Sequence, residues 1–206
     1  MIPRFGSNTA LLLIDVQKGV NVLNHWGGPT GRRNNPEAEC RMLELLAAFR
    51  NRGLKVFFSR HNSREMKSPL KLSLPTGDML DGFEPNDNET IIFKDVNSVF
   101  VGTDFELRLR EFHIERLVIA GFFTNFCVET TTRMSGNMGY DSYLAHDACS
   151  TCNRVGLDGI DYDPELVHDM AVASMHGEFC TALTADQLVG LTQGDNPLLN
   201  RVQGNE

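Results

Sequence analysis

Residues Leu117 to Thr131 read LVIAGFFTNFCVETT, and this stretch decides the fold. A short apolar run, Leu117-Val118-Ile119-Ala120, meets Gly121; a compact turn carrying Cys127 then leads into Val128 to Met138, which can wind as a helix. The run predicts a buried strand. A turn from strand to helix holds a side chain at the carboxyl edge of a sheet, with the helix N-terminus facing the same spot. A thiol there meets unpaired backbone N–H groups and the positive end of the helix dipole, which favour the thiolate. Cys127 is therefore the candidate nucleophile.

Working outward, other apolar runs repeat the pattern. Ala10 to Ile14 (ALLLI) closes on Asp15, Lys55 to Ser59 (KVFFS) on Arg60 and His61, and Thr90 to Phe93 (TIIF) on Lys94. Tyr140 to Ala145 gives a fifth strand with Asp147 just past it, and Phe179 to Leu183 a weaker last one. Helical spacing fills the gaps. Asn35 is the expected cap and Pro36 the first position of a helix with Met42, Leu45, Leu46 and Phe49 on its apolar stripe, ended by Gly53. Thr103 and Glu106 read as a capping box for a helix carrying Leu107 and Leu109 to about His113. Gly139 stops the Cys127 helix. Pro164 opens another, with Leu166, Val167, Met170, Ala171 and Ala173 on its apolar faces; Thr184 caps a short last helix, and the polar tail from Gln193 is expected to be loose. The alternation predicts an α/β, three-layer, doubly wound, mainly parallel sheet of about six strands with helices on both faces. No internal repeat or low-complexity linker interrupts it, so residues 1–206 read as one domain.

Charge and composition exclude whole classes of partner. The chain has 19 basic and 27 acidic residues and a formal net charge of -8, without the basic footprint that nucleic acid or an anionic membrane requires. No run approaches the ~18 apolar residues of a membrane span, and the N-terminal stretch has no signal-peptide core. A cytoplasmic protein is expected. The odd set Cys40, Cys127, Cys149, Cys152 and Cys180 is no disulfide framework. Cys149 and Cys152 form a CxxC, but a zinc site needs a second ligand pair and none matches, so the pair reads as two unlinked thiols in a loop.

Three strands thus end on Asp15, Lys94 and Cys127. Singly, such residues are commonly a turn cap, a surface charge and a small buried hydrophobe. Together, at strand ends that share one edge of a parallel sheet, they make a candidate catalytic set. Two irregular segments, Val16 to Asn35 with the sole tryptophan, Trp26, and Asn62 to Thr90, can cover that edge. Trp26, His61, Asn97 and Phe100 are candidate substrate contacts, with His25 and Arg60 weaker ones from loop position; His176 reads as structural.

The chain resembles the isochorismatase-like family of cysteine hydrolases, which includes nicotinamidases and carbamoylsarcosine amidohydrolases. The resemblance runs from LLLIDVQ, Leu11 to Gln17, through GFFTNFCVETT to the late helix, and its signature is Asp15, Lys94 and the GxxTxxCV turn from Gly121 to Val128. It implies a cis peptide at Phe122–Phe123 and an oxyanion hole made by the N–H groups of Phe123 and Cys127. It further implies a thioester route for hydrolysing a small amide, ureido or lactam compound, with no cofactor. Members commonly form dimers or tetramers, so a homo-oligomer is expected. Nicotinamidases of this kind bind a metal through an Asp-x-His pattern plus further histidines. Arg60-His61-Asn62-Ser63 lacks it, so no metal is expected. Two alternatives remain: a vinyl ether hydrolase of the isochorismatase type, which uses the Asp and Lys alone, and a non-catalytic redox-sensing or interaction protein on the same fold.

Overall fold

Apolar runs long enough to be covered on both sides assemble into one parallel sheet. The structure is a computed structural model and describes residues 4–194. Its strands are β1 (Thr9–Ile14), β2 (Lys55–His61), β3 (Thr90–Lys94), β4 (Arg116–Phe122), β5 (Asp141–Ser150) and β8 (Thr181–Leu183), in the order β3-β2-β1-β4-β5-β8. All neighbouring pairs in this sheet are parallel. Every residue of β1 is buried. The helices are a short α1 (Leu23–Trp26), α2 (Ala38–Asn51), α3 (Phe105–Glu111), α4 (Glu129–Asn137), α5 (Pro164–Met175) and α6 (Ala185–Gln193). α2 packs with α6 against β5, while α4 packs with α5. Phe100 bridges Phe105 of α3 and Tyr140 beyond α4. The chain builds outward from β1 to β3, crosses to β4, and builds outward the other way. β1 and β4 therefore flank the point where the winding reverses, the crevice in which open α/β sheets hold ligands.

The close approach of β1 and β4 requires Gly121. Its φ is +130°, and a Cβ there would meet Ile14 O at 2.2 Å and Ile14 N at 2.7 Å. Any other residue would push the two central strands apart just below Asp15.

Several local expectations are corrected. β5 runs on to Ser150 instead of ending at Ala145. Ile119 pairs with Leu144 but Gly121 pairs with Cys149, so a bulge around His146 and Asp147 lets the strand continue. Asp147 Oδ1 accepts from Ala185 N at the start of α6, and Asn35 Nδ2 donates to the carbonyls of His146 and Cys149. Asn35 is thus not the cap of α2. It has φ of 45°, and the helix begins at Ala38 after Glu37. The Thr103–Glu106 capping box does not form: the Thr103 hydroxyl donates to Val99 O and accepts from Phe105 N, while Glu106 pairs with Arg110. Leu107, Leu166 and Met170 face outward; in α5 the buried stripe is His168, Ala171 and Met175. Cys149 lies in β5 rather than in a loop, and the segment after Cys152 contains a small antiparallel ribbon, β6 (Arg154–Val155) with β7 (Asp161–Tyr162). All five cysteines are free. The tail beyond residue 194 falls outside the described residues.

Candidate functional site

Asp15 is the first residue past β1, and there the chain turns through a left-handed φ of 54°, a conformation that aspartate tolerates. Its Oδ1 accepts from Ser59 Oγ at 2.6 Å. The other carboxylate oxygen, Oδ2, accepts from Lys94 Nζ at 2.6 Å. Lys94 starts two strands away, at the end of β3. It is the register partner of His61 on β2, and its stem passes that strand to reach Asp15. Nζ also lies 2.8 Å from His61 Nδ1, 3.3 Å from Val96 O and 3.3 Å from Cys127 Sγ. The sequence-predicted trio therefore meets at one ammonium group.

Cys127 reaches the cluster through an unusual turn. The helical winding begins at Thr124, not Val128, and its first five residues form a π-turn before α4. Phe123 O accepts from Phe126 N and from Val128 N. The second bond replaces the one an ordinary α-helix would draw from Cys127 N. The Phe122–Phe123 peptide is cis. Below the turn, Thr124 Oγ1 is 2.8 Å from Nδ1 of His168, a buried residue of α5.

The charges are set by burial and by neighbours. Burial alone would raise the Asp15 carboxyl, but the Lys94 ammonium overrides it and lowers the group to about 2. Lys94 is likewise opposed by burial, and Asp15 raises it above the ordinary lysine value. The Cys127 thiol is pushed up, first by burial and then by the Asp15 charge, with Lys94 only partly opposing. Burial and the Asp15 charge thus outweigh the pull of the helix end, and the thiol keeps its proton next to a carboxylate able to take it.

A cavity of about 200 Å³ opens above the sulfur. Asp15, His61 and Cys127 lie at its floor, Trp26, Phe123 and Phe126 supply an aromatic wall, and Asn97 stands 3.9 Å from Cys127 Sγ. Glu65 and Leu70 bring the segment after β2 to its edge. Trp26 is fixed by an Nε1–H bond to Gly19 O at 2.8 Å and by its contact with the Phe123 ring. His61 is not a loop residue; it closes β2 and is 7% exposed. Phe100, Arg60 and His25 do not line the cavity: Phe100 is in the aromatic cluster under α3, Arg60 donates to Gly77 O, and His25 packs on the Trp26 ring edge-on. His176 accepts from Ala182 N beyond α5, a structural contact.

Ligand atoms of Asp15, His61 and Cys127 lie within 4.8 Å of one another. A divalent ion among them would have to displace Lys94 Nζ, which is within 3.3 Å of all three. Ser59 occupies the position two before His61, and its hydroxyl is engaged with Asp15. The donor set therefore does not fit a resident metal of the nicotinamidase kind. Two supporting residues escaped the sequence reading. Gln17 clamps His61, accepting from its N at 2.7 Å and donating to its O at 3.1 Å, and His168 supports Thr124. Gln17 was visible only as the last letter of LLLIDVQ, and nothing in the local pattern marks His168. Among the described residues, no helix is long and apolar enough to cross a membrane.

Comparison with known proteins agrees with this architecture. Residues 9–187 match the isochorismatase domain model. The Bacillus subtilis isochorismatase family protein YrdC is 39% identical, over 87% of this chain and 94% of its own. Nicotinamidase 3 of Arabidopsis thaliana is 28% identical, over 70% of this chain and 74% of its own. The crystal structure of an isochorismatase-family member from Chromobacterium violaceum superimposes with a TM-score of 0.85 at 37% identity, covering 92% of this chain and 96% of that one. The chain belongs to the isochorismatase family of hydrolases.

Proposed function

We propose that the protein is a cysteine-dependent hydrolase that cleaves a C–N bond of a small amide, ureido or lactam compound through a thioester on Cys127. The observation that carries this reading is the Cys127 sulfur at the cavity floor, 3.3 Å from the Lys94 ammonium. An ether hydrolysis that uses only the carboxylate and the ammonium has no task for that sulfur. The volume of about 200 Å³ suits a small molecule.

The steps follow from the charges. As Sγ attacks the carbonyl carbon, its proton passes to Asp15 and the new S–C bond forms. The carbonyl oxygen becomes an oxyanion, for which the N–H groups of Phe123 and Cys127 are the candidate donors. Support for this comes from the π-turn, in which Phe123 O is taken by Phe126 N and Val128 N, leaving the Cys127 N–H free of that acceptor. The C–N bond breaks as Asp15 returns the proton to the leaving nitrogen. Water then adds to the thioester and gives a proton to Asp15; the S–C bond breaks, and the sulfur recovers its hydrogen. Lys94 keeps the carboxylate anionic at rest and offers a hydrogen bond to the sulfur as it becomes charged.

The test is a panel of small amides and ureas assayed for ammonia or amine release, with acid-quenched protein examined by mass spectrometry. An acyl mass on the Cys127 peptide is expected. Cys127→Ala should cost at least about a thousandfold in turnover. Pyruvate release from a vinyl ether substrate that survives Cys127→Ala would instead favour the ether hydrolase. An unreactive pocket thiol and no turnover of either kind would favour a non-catalytic role.

A further inference from the structure

Lys94 has more acceptors than hydrogens. An ammonium carries three donors, and four atoms face Nζ: Asp15 Oδ2, His61 Nδ1, Val96 O and Cys127 Sγ. The two shortest contacts, 2.6 Å to Asp15 and 2.8 Å to His61, take two of the hydrogens. A bond from an ammonium into Nδ1 requires that this nitrogen carry no hydrogen, so the remaining hydrogen of the imidazole is on Nε2.

Nε2 has no hydrogen-bond partner among the described residues. Among the described residues, the sealed side-chain atoms without a partner are Arg60 Nε, Thr76 Oγ1 and Thr132 Oγ1. His61 Nε2 is not one of them, so it is reached by solvent. The residue is only 7% exposed, and it lines the cavity above Cys127. The main chain that carries the ring is also fixed, because Gln17 bonds both the backbone N and the backbone O of His61 and itself donates to Gly77 O. A donor of fixed direction thus opens into an aromatic-walled pocket with nothing of the protein to receive it.

We propose that His61 is a specificity-determining residue: its Nε2–H, fixed by Lys94, receives a hydrogen-bond acceptor on the substrate, separate from the scissile carbonyl. The substrate class is therefore a small amide or urea with an ether, carbonyl or ring-nitrogen acceptor close to the reacting group. An isostere with CH or CH₂ at that position leaves the donor dry and unpaired, the arrangement by which polar sites reject apolar analogues most strongly. This inference rests on the amide-hydrolase reading for its kinetic test but not for its spectroscopic one.

The kinetic test uses a matched pair, methoxyacetamide and butanamide, which differ by one oxygen for one methylene. The wild-type protein should favour methoxyacetamide in kcat/KM by roughly tenfold or more, about the cost of one unmet buried hydrogen bond. His61→Asn keeps a polar atom near Lys94 but has no group at the Nε2 position, and in it the ratio should fall by about tenfold, to the preference that the inductive pull of the α-methoxy group alone gives. An equal rate on both amides in the wild type, or a ratio retained in the variant, overturns the proposal. The second measurement needs no turnover. Nitrogen-15 correlation spectra of the wild-type protein should show His61 with hydrogen on Nε2 and none on Nδ1, and in the Cys127→Ala protein the Nε2 signal should shift on adding methoxyacetamide but not on adding butanamide. Hydrogen on Nδ1, or no difference between the two additions, sinks it even if thioester chemistry on Cys127 is confirmed. If no amide or urea of the panel forms an acyl-enzyme, the amide reading fails and the tautomer and binding spectra still decide the role of His61.

Discussion

Lys94 Nζ and Asp15 Oδ2 are 2.6 Å apart, and their side chains are 0% and 1% exposed. An ion pair this dry is held by mutual dependence: each partner compensates the desolvation of the other. Removing one alone leaves an uncompensated charge, which costs about 3–5 kcal/mol. Lys94→Met should therefore lower the unfolding free energy in urea by that amount and abolish turnover. Combining it with Asp15→Asn, which removes both charges, should return much of the stability and none of the activity. If the double variant is less stable than Lys94→Met, the pair is not what balances the burial.

The same pair governs the thiol. Burial and the Asp15 charge both raise the Cys127 thiol, and Lys94 alone opposes them. Asp15→Asn deletes one of the raising causes and keeps the ammonium at 3.3 Å from the sulfur. Alkylation of Cys127 by iodoacetamide at neutral pH should thus become faster, while amide turnover, which needs Asp15 as proton carrier, disappears. Slower alkylation in Asp15→Asn would mean that the carboxylate already holds the thiol proton at rest.

Stability should fall in two separate pH ranges. His168 is lowered from 6.5 to about 4, chiefly by burial, where it supports Thr124. The unfolded chain gains a proton there below about 6.5 and the folded one does not, so stability declines from pH 6.5 to about 4 and then levels for this group. Asp15 is lowered from 3.8 to about 2, with burial opposed by Lys94. Its contribution of about 2 kcal/mol is present above the unfolded value and lost as pH falls through the folded one. In urea titrations, His168→Leu should flatten the upper range, and the vacated Thr124 hydroxyl should cost about 1–3 kcal/mol at pH 7. An unchanged slope between pH 6.5 and 4 would remove His168 from the account.

The sheet was legible because buried parallel strands announce themselves as unbroken apolar runs, and Asp15, Lys94 and Cys127 were legible because each follows such a run. What escaped depends on contacts distant in sequence. His61 looked like a loop residue because β2 extends two residues beyond Ser59, held by Gln17 from another strand end. Asn35 looked like a helix cap because its partners, the carbonyls of the β5 bulge, lie more than a hundred residues away. Thr103 formed a local bond to Val99 in place of the capping box. The upward push on the Cys127 thiol was not legible, because the helix end shows in the sequence and the depth of burial does not.

One glycine ties the fold to the site. Gly121 sits where β4 crosses closest to Ile14, one residue before the Asp15 turn on one side and six residues before Cys127 on the other. A methyl group there meets main-chain atoms, which cannot rotate away as a side chain would. The φ of +130° adds backbone strain that an L-residue bears poorly. Gly121→Ala should destabilise the protein by about 3–5 kcal/mol. Any folded fraction should show the Lys94–Asp15–Cys127 cluster loosened, because relief requires β1 and β4 to separate. The readout is faster Cys127 alkylation than in the wild type at equal folded fraction, measured well below the unfolding transition. A variant of wild-type stability and wild-type thiol reactivity would show that the two central strands have room the close approach denies.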